Sequence, residues 1–583
     1  MLDWQEKSDL EIAKFCVSQQ GRFEKVREAY EPMYEAGMKL FQPRRYDLSQ
    51  LRKTARTAKQ KKEQYGVGVY NQRPALALSK FATGSTGNMV SRDEEDPWWL
   101  QFVSEKQAMM QVDEVKQYMQ NSAEQVKFGF NQSTFYQEFP MLMADAGVTY
   151  GGMTAEAPKD QDRLIFLTRH PADHWVGLDR FGQVIADHFK LKMTAYDIYH
   201  DKEFGKTTGA DGKSVLPADL VKKAGGGEGM DPFTEYDVLH CIYKNTKPRP
   251  GSLNYLDKPY IMFYVLIQGR DKGPVLLSKE GSDWGVINLR IGATLGDAYP
   301  LTMALDAMTG GCYGNLLAKY KLMSAHLSVQ PPRRASKTLR DQIMANNLNP
   351  ASTTWIDDPK EIIEYLRDAG AKWPIADAEL AEINAVVDDV FHVRFFELLT
   401  GGERTPNITA YHVGQMVSEK VPMLSPIIDA SQDAVLEPAS SIVWAYETMA
   451  GRMPEPPDIL LEATGGKVLN HYMGRLAQLR RTLRQNSGTL EILQICEIFQ
   501  KLWPSSLAKI RHFEFIERAC LQRGAAQSLF HTDAEMDQIE AGMAEKENME
   551  MQLQAAERLG KIIPGMGKGI EANSPAAMMT GAA

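Results

Sequence analysis

The spacing of apolar residues divides the first half of the chain into two stretches. Over residues 1–150 apolar side chains recur every three or four positions, as in EIAKFCVSQQGRFEKVREAYEPMYEAGMKLF, and this spacing predicts helices. From about residue 161 the period shortens toward two. The segments RLIFLTRH, YDVLHCIYK and KPYIMFYVLI therefore predict β-strands, with turn residues between them. Residues 1–298 combine a helical part with a strand-rich part.

Helical periodicity returns in the second half in three long runs. The first predicted helix covers 299–328 and ends before two consecutive prolines, and the second covers 376–399. A compact mixed segment, 329–375, lies between them, and a short loop, 400–408, follows the second helix. The third run, 409–465, is predicted as a long helix bent at its prolines, followed by a return strand.

The C-terminal part consists mostly of residues with high helix propensity. Residues 466–560 are predicted to be helical, and the low-complexity residues 561–583 are predicted to be disordered. The fold class predicted from these patterns is α+β, and mainly α.

Composition narrows the class of protein. The chain has 583 residues, of which 43% are apolar and 24% charged, as in an ordinary globular protein. Its 66 basic and 75 acidic residues give a formal net charge of −9, which argues against a surface that holds nucleic acid tightly. The five cysteines are far apart, and no apolar run has the length of a membrane span. We expect a soluble protein made in a reducing cytosol, with no membrane partner.

No motif in the sequence indicates a catalytic or metal site. The segment GKTTGADGKS lacks the first glycine of a phosphate-binding loop, because Thr207 and His200 occupy the two positions where it would lie. His170 and His174 are four residues apart, but Pro171 opposes a helix that would turn them to one side. We therefore expect no enzyme activity, no cofactor and no metal.

A basic stretch near the N-terminus has two interpretations. It is either a solvated helix face or a contact for nucleic acid or an acidic partner, and the sequence leaves both open. The stretch contains only one aspartate and one glutamate. Its basic residues are Arg44, Arg45, Arg52, Lys53, Arg56, Lys59, Lys61 and Lys62.

The second predicted helix and the loop after it are strongly acidic. A wall of carboxylates repels a polyanion, which suits a surface that DNA must slide past without adhering. One chain cannot enclose a duplex, so this interpretation requires a cyclic oligomer. The adjacent aspartates of the helix have a simpler interpretation as part of a solvated face. The segment contains two basic residues, Arg394 and Arg404. Its acidic residues are Asp377, Glu379, Glu382, Asp388, Asp389, Glu397 and Glu403.

An ordered series of segments carries a resemblance to a known family. These include FQPRRYDLS, ALALSKFATGSTGNMVSRDEEDPWWLQF, LDRFGQVIADHFKLKMTAYDI, GDAYPLTMALDAM, RTPNITAYHVGQMVSEKVPMLSPIIDASQDAVLEP and FEFIERACLQRGAAQSLFHTDAEMDQI. Over roughly residues 20–555 the chain resembles the portal, or head-to-tail connector, proteins of short-tailed bacteriophages. It departs from them at GDAYPLTMALD and RTPNITAYHV, where the family usually has Tyr-Gly-x-Ser-Pro and Thr-Ala-Thr-Glu.

The resemblance implies a portal fold in a ring-shaped homo-oligomer, usually of twelve subunits, at one capsid vertex of the virion. Such a ring conducts double-stranded DNA during packaging and ejection and is not an enzyme, since a separate terminase hydrolyses ATP. The partners implied are the terminase large subunit, tail adaptor or tube proteins, and capsid and scaffold proteins. The regions implied are a wing (1–298 and 409–465), two stem helices (299–328 and 376–399), a clip (329–375), a tunnel loop (400–408) and a crown (466–560).

The resemblance also implies roles for individual residues. DNA-facing positions in the tunnel loop are Gly401, Gly402, Glu403, Arg404 and Asn407. Candidates for lining the channel are Glu382, Asp388 and Asp389. Candidates in the clip for binding a terminase or adaptor, or for ordinary solubility, are Arg333, Arg334, Lys337 and Arg340. Two rival functions are an internal scaffold that does not enclose DNA and a nucleic-acid enzyme with a degenerate site.

Overall fold

The structure of the protein is a computed structural model. It describes residues 4, 7–45, 68–92, 98–106, 109, 112–158, 162–201, 204, 216–225, 230–249, 251–252, 254–268, 273–294, 296–329, 333–335, 353–355, 373–399, 422–465, 468–474, 476–477, 549 and 551.

Helices dominate the two ends of the described chain, and strands dominate its middle. The α-helices are α1 (Asp9–Glu28), α2 (Glu31–Phe41), α3 (Arg73–Met89), α4 (Asp113–Gln132), α5 (Phe135–Val148), α6 (Ala195–His200), α7 (Ala218–Ala224), α8 (Met303–Asp306), α9 (Met308–Val329), α10 (Trp373–Val390), α11 (Val393–Leu399), α12 (Glu437–Met449) and α13 (Asp458–Thr464). A helical stretch over 422–431 and a π-helical turn, Gln432–Leu436, lead into α12.

The strands of the described residues form four sheets. They are β1 (Leu100–Ser104), β2 (Gly151–Glu156), β3 (Ile165–Arg169), β4 (His174–Leu178), β5 (Val184–Thr194), β6 (Glu235–Lys244), β7 (Tyr260–Leu266), β8 (Val275–Ser282), β9 (Ile287–Leu289), β10 (Arg333–Ala335), β11 (Thr353–Trp355) and β12 (Val468–Tyr472). The largest sheet is antiparallel, in the order β4-β5-β6-β7-β8. A second sheet has the order β3-β2-β9, and β1–β12 and β10–β11 form separate pairs.

Local sequence signals explain several element boundaries. Ser8 and Glu11 form a capping box at the start of α1, in which each side chain accepts a hydrogen bond from the other residue's backbone N–H. Proline stands in the first turn of α2 and of α3, where a missing N–H costs nothing. Gly465 ends α13 in the left-handed conformation, with φ of 64°, that glycine adopts without strain.

One hydrophobic core joins the N-terminal helices to the helices of the second half. At its centre lies an aromatic cluster of Trp99, Phe130, Phe135 and Phe166, all of them buried. The same core includes buried residues of α3, α5, β2, α10 and α11, so these elements form one packed body. Burial of such large rings contributes about 1.5–3 kcal/mol for each side chain.

A buried arginine attaches α1 to the large sheet. The guanidinium of Arg27 donates to the carbonyl oxygens of Pro171, Ala172 and His174 at 2.7–2.8 Å. It also donates to a carboxylate oxygen of Glu31, the first residue of α2, at 3.1 Å, so the buried charge is neutralised by the neighbouring helix. This contact fixes the orientation of α1 against the edge of the sheet.

Four predictions about local structure differ from the fold. Residues 468–472, predicted to be helical, form β12 and pair antiparallel with β1. β1 lies within residues predicted as mainly helix, and β2 begins about ten residues before the strand-rich part was expected to start. The first predicted long helix is two helices separated by Ala307, and the second is interrupted at 391–392. The coarser prediction of a mixed α and β fold is confirmed.

Candidate functional site

Helices α9 and α10 form an antiparallel hairpin, here called the two-helix hairpin. Glycines of α9 allow close approach, because a Cβ at Gly314 would lie 3.2 Å from Cγ2 of Ile383. Two polar contacts tie α9 to the first part of α10: Tyr313 donates to Glu379, and Lys321 pairs with Asp377. The hairpin is thus held by tight packing and by polar pairs.

One side of the two-helix hairpin packs against the segment that leads into α3. The side chain of Asn315 on α9 accepts from the backbone N–H groups of Tyr70 and Asn71, at 2.6 and 3.1 Å, and donates to the carbonyl of Gly68 at 2.9 Å. The amide of Asn71 then donates to Asn384 of α10 at 2.9 Å. Both helices of the hairpin are therefore bonded to one short segment.

Helix α3 spans the break between α10 and α11. His392, at the break, has φ of 53°, a left-handed conformation that is unfavourable for a residue with a side chain. Before the break Arg73 of α3 donates from Nε to Asp388 at 2.7 Å, and after it Lys80 pairs with Glu397. The hydrogen bond with Asp388 raises the pKa of the Arg73 guanidinium above its ordinary value.

The break is also filled with aromatic side chains. Phe391 is fully buried, and its ring lies 6.1 Å from that of Phe81 on α3. Phe396 packs over Gly84, where a Cβ would lie only 2.5 Å from its ring. The bend in the chain is therefore shaped by packing against α3, which holds the end of α11 in position.

The edge of α10 that faces away from α9 combines small and acidic residues. Ala378, Ala381, Glu382 and Asp389 are exposed along this edge. Counting about 100° per residue places them opposite the residues that contact α9. The edge is smooth and negatively charged.

The structure separates the three candidates for channel lining. Glu382 and Asp389 are exposed, as a channel wall requires. Asp388 is only 5% exposed and is paired with Arg73, so the expectation that both adjacent aspartates face solvent is wrong for this residue. Consecutive helical residues point about 100° apart, which is why one aspartate faces inward and the other outward.

The remaining predicted site residues are only partly described. Arg333 and Arg334 lie in β10, and their backbones pair in parallel with Thr353 and Thr354 of β11. The others lie outside the described residues; they are Lys337, Arg340, Gly401, Gly402, Glu403, Arg404 and Asn407. Sequence patterns do not reveal the asparagines that bond the hairpin to the segment before α3, because their partners are more than 240 positions away.

The two histidines considered at the sequence level serve separate structural contacts. Nδ1 of His170 accepts from the N–H of Ala172 at 3.0 Å, and Nε2 of His174 lies 2.9 Å from a carboxylate oxygen of Asp187. Within the described residues no group of three or more His, Cys, Asp or Glu side chains has the arrangement of a metal site. No described helix combines the length and hydrophobicity needed to cross a bilayer.

Comparison with known proteins gives the family. The sequence profile described as "Bacteriophage head to tail connecting protein" matches residues 14–530, and the chain belongs to this family. It is 22% identical to the portal protein of Salmonella phage epsilon15 over 424 residues, which cover 71% of each chain. It is 26% identical to the probable portal protein of Bordetella phage BPP-1 over 417 residues, 70% of each chain.

These findings confirm the resemblance inferred from the sequence, and the function is that of a phage portal. Proteins of this family are components of the virion at the capsid vertex, associate with capsid and tail, and form homo-oligomers. Proteins of this family are generally structural rather than enzymatic.

Proposed function

We propose that the protein forms a ring, of twelve subunits as the resemblance implies, around a channel through which double-stranded DNA is packaged and ejected. In this ring the two-helix hairpin is the stem. The observation that carries the proposal is the edge of α10, where Ala378 and Ala381 lie beside the carboxylates of Glu382 and Asp389. We propose that this edge faces the channel.

The chemistry of this edge suits a moving duplex. DNA carries one negative charge per about 1.7 Å of its axis, so contacts with Lys or Arg would hold it in place. Carboxylates repel the phosphates, and alanine side chains offer no hydrogen bond that would have to break at each step. Repetition of the edge around a ring would give a wall along which the duplex slides.

The loop after α11 supplies the closest contact in this proposal. Residues 400–408 follow directly on the segment that α3 holds in place, and they contain two glycines and one arginine. We propose that Arg404 and Asn407 touch the DNA backbone briefly, one set per subunit. A single cation per subunit keeps each contact weak, in agreement with the acidic wall.

The other regions are assigned to partners. We propose that the clip, 329–375, binds the terminase large subunit during packaging and a tail adaptor or tube protein afterwards, through its basic residues including Arg333 and Arg334. The wing and the crown, 466–560, would face capsid and scaffold proteins. The protein itself performs no catalysis, is made in the host cytoplasm, and uses the ATPase of its partner.

Electron microscopy and packaging assays test this function. The purified protein should form rings with a hole wide enough for duplex DNA, and monomers or open fibres under all conditions would contradict the proposal. Rings of the double variant Glu382→Lys, Asp389→Lys should assemble but package DNA more slowly, because lysine holds phosphate. The control is Glu28→Lys, at an exposed site on α1. Equal packaging rates would show that the edge of α10 does not face DNA.

Deletion of the loop provides a second test. Rings that lack residues 401–407 should still assemble, since the variant keeps α10, α11 and their contacts with α3. Packaging or retention of the genome should fall, because the contacts nearest to DNA are lost. Normal packaging and retention by this variant would remove the role assigned to the loop.

A further inference from the structure

The two-helix hairpin has a second surface, distinct from the acidic edge of α10, that is exposed and apolar. We name it face A and define it by Tyr313, Leu316, Tyr320, Ile375 and Val386, all more than one-third exposed. Exposed large apolar side chains are common singly, but a contiguous group on two packed helices marks an interaction site.

The contacts of the hairpin show that these residues lie on one side. The hydrogen bond from Tyr313 to Glu379 joins the two helices along this side. At about 100° per residue, Tyr320 lies within about 20° of Tyr313 around α9, and Ile375 and Val386 lie within about 40° of Glu379 around α10. Face A is therefore a continuous surface that crosses from one helix to the other.

The opposite side of the hairpin exposes a second apolar group, face B. It consists of Tyr70, Leu76 and Leu322, each 43–51% exposed. Tyr70 belongs to the segment bonded to Asn315, and Leu76 lies on the uncovered surface of α3. The chain thus carries two different apolar faces on opposite sides of one helical layer.

The charges of the two faces are complementary. Face A is flanked by the carboxylates of Glu379 and Glu382. Face B is flanked by the cation of Lys319, which lies over the ring of Tyr70. Arg73 and Lys80 also border it, with side chains 35% and 41% exposed, and their charges are already paired with Asp388 and Glu397 of the same subunit. Tyrosine and arginine are enriched at protein interfaces, where one end of the side chain is packed and the other is polar.

We infer that face A of one subunit binds face B of a second copy of this chain. In a cyclic ring every subunit uses two different surfaces, one for each neighbour, and faces A and B lie on opposite sides as such a ring requires. The inference rests on the proposed ring and specifies how its stem is held together. It also places the acidic edge of α10 between the two faces, free to point into the channel.

Two charge variants test this pairing. Tyr320→Asp disables face A and leaves face B intact, whereas Leu76→Asp does the reverse. Both side chains are more than half exposed, so a carboxylate at either position does not disturb the fold of the subunit. Each variant alone should remain monomeric at concentrations at which the wild type forms rings, with the concentration for half-assembly raised about tenfold or more.

Mixing the two variants gives the decisive result. An equimolar mixture should form dimers and nothing larger, since it retains one intact A–B contact per pair. Mass photometry or analytical ultracentrifugation measures the species, and Leu10→Asp, at an equally exposed site on α1, should form rings like the wild type. Rings from either face variant, or monomers from the mixture, overturn the inference while the ring proposal stands. Absence of rings from the wild type overturns both.

Discussion

Replacement of Asp388 and Asp389 by alanine, one at a time, compares two adjacent aspartates with opposite environments. Asp388 is buried and accepts two hydrogen bonds from Arg73, whereas Asp389 is exposed. The two substitutions remove the same atoms from the same helix, so helix propensity changes equally. Any difference in stability therefore reports the contact with α3.

The expected loss of stability for Asp388→Ala follows from how deeply each partner of the Asp388–Arg73 ion pair is buried. Removal of one partner from a fully buried pair costs about 3–5 kcal/mol. The Arg73 side chain is 35% exposed and regains part of its hydration when Asp388 is lost, so we expect a loss of about 2–3 kcal/mol. Asp389→Ala should change stability by less than about 0.5 kcal/mol, as exposed substitutions do.

Urea unfolding followed by tryptophan fluorescence measures the difference. The protein concentration must be the same for all variants, because assembly itself adds to apparent stability. A double-mutant cycle with Arg73→Ala should give a coupling energy of about 1–3 kcal/mol for the Arg73–Asp388 pair. Equal losses from Asp388→Ala and Asp389→Ala, or a coupling near zero, would refute the assignment of Asp388 to a structural role.

Three further outcomes are expected. Burial lowers the pKa of His188 and His240 to about 3, so the unfolded chain, with a histidine pKa of about 6.5, binds protons that the folded chain cannot. The free energy of unfolding should therefore fall as the pH drops from 6.5 toward 3. His240→Phe should reduce the slope of this free energy against pH by up to about 1.4 kcal/mol per pH unit, as measured by thermal unfolding. An unchanged slope would contradict the burial of a neutral His240. Gly84→Ala should cost about 1–3 kcal/mol through overlap with the neighbouring ring, whereas Gly87→Ala, with open space around it, should not destabilise, and denaturant unfolding that shows equal effects would contradict the packing. Arg27→Met should cost about 3–5 kcal/mol, since it removes the partner of three carbonyls and a carboxylate, and an unchanged melting temperature would show that this anchor is dispensable.

Local periodicity was sufficient to predict much of the fold. The strands expected at RLIFLTRH, YDVLHCIYK and KPYIMFYVLI are present as β3, β6 and β7. Their alternation is a property of a few neighbouring residues, so no distant information is needed. The helices before residue 150 were predicted for the same reason, since each carries an apolar stripe at helical spacing.

Features that depend on distant partners could not be predicted in this way. β12 is a short strand whose pairing with β1 decides its conformation, and its own sequence does not exclude a helix. The break at His392 lies within an uninterrupted apolar helical pattern and is set by packing against α3. The inward direction of Asp388 depends on Arg73, which lies more than 300 positions earlier.

The candidate site was predicted in part. The acidity of α10 was evident from composition, and two of its three proposed wall residues are exposed. Faces A and B were not predicted, because Tyr313, Leu316 and Tyr320 have the spacing of an ordinary core stripe. Only the folded hairpin shows that these apolar residues remain exposed among the described residues.

The pairing of β1 with β12 has a consequence for synthesis of the protein. At the usual rate of translation, β1 emerges from the ribosome roughly 20–70 s before the strand that covers it. During this time its backbone is an open edge, and such edges pair with other chains. Nascent subunits made in many copies at once are therefore prone to pair with one another through β1. Chains that terminate before residue 468 should aggregate, and for that reason they should not enter rings or block ring closure.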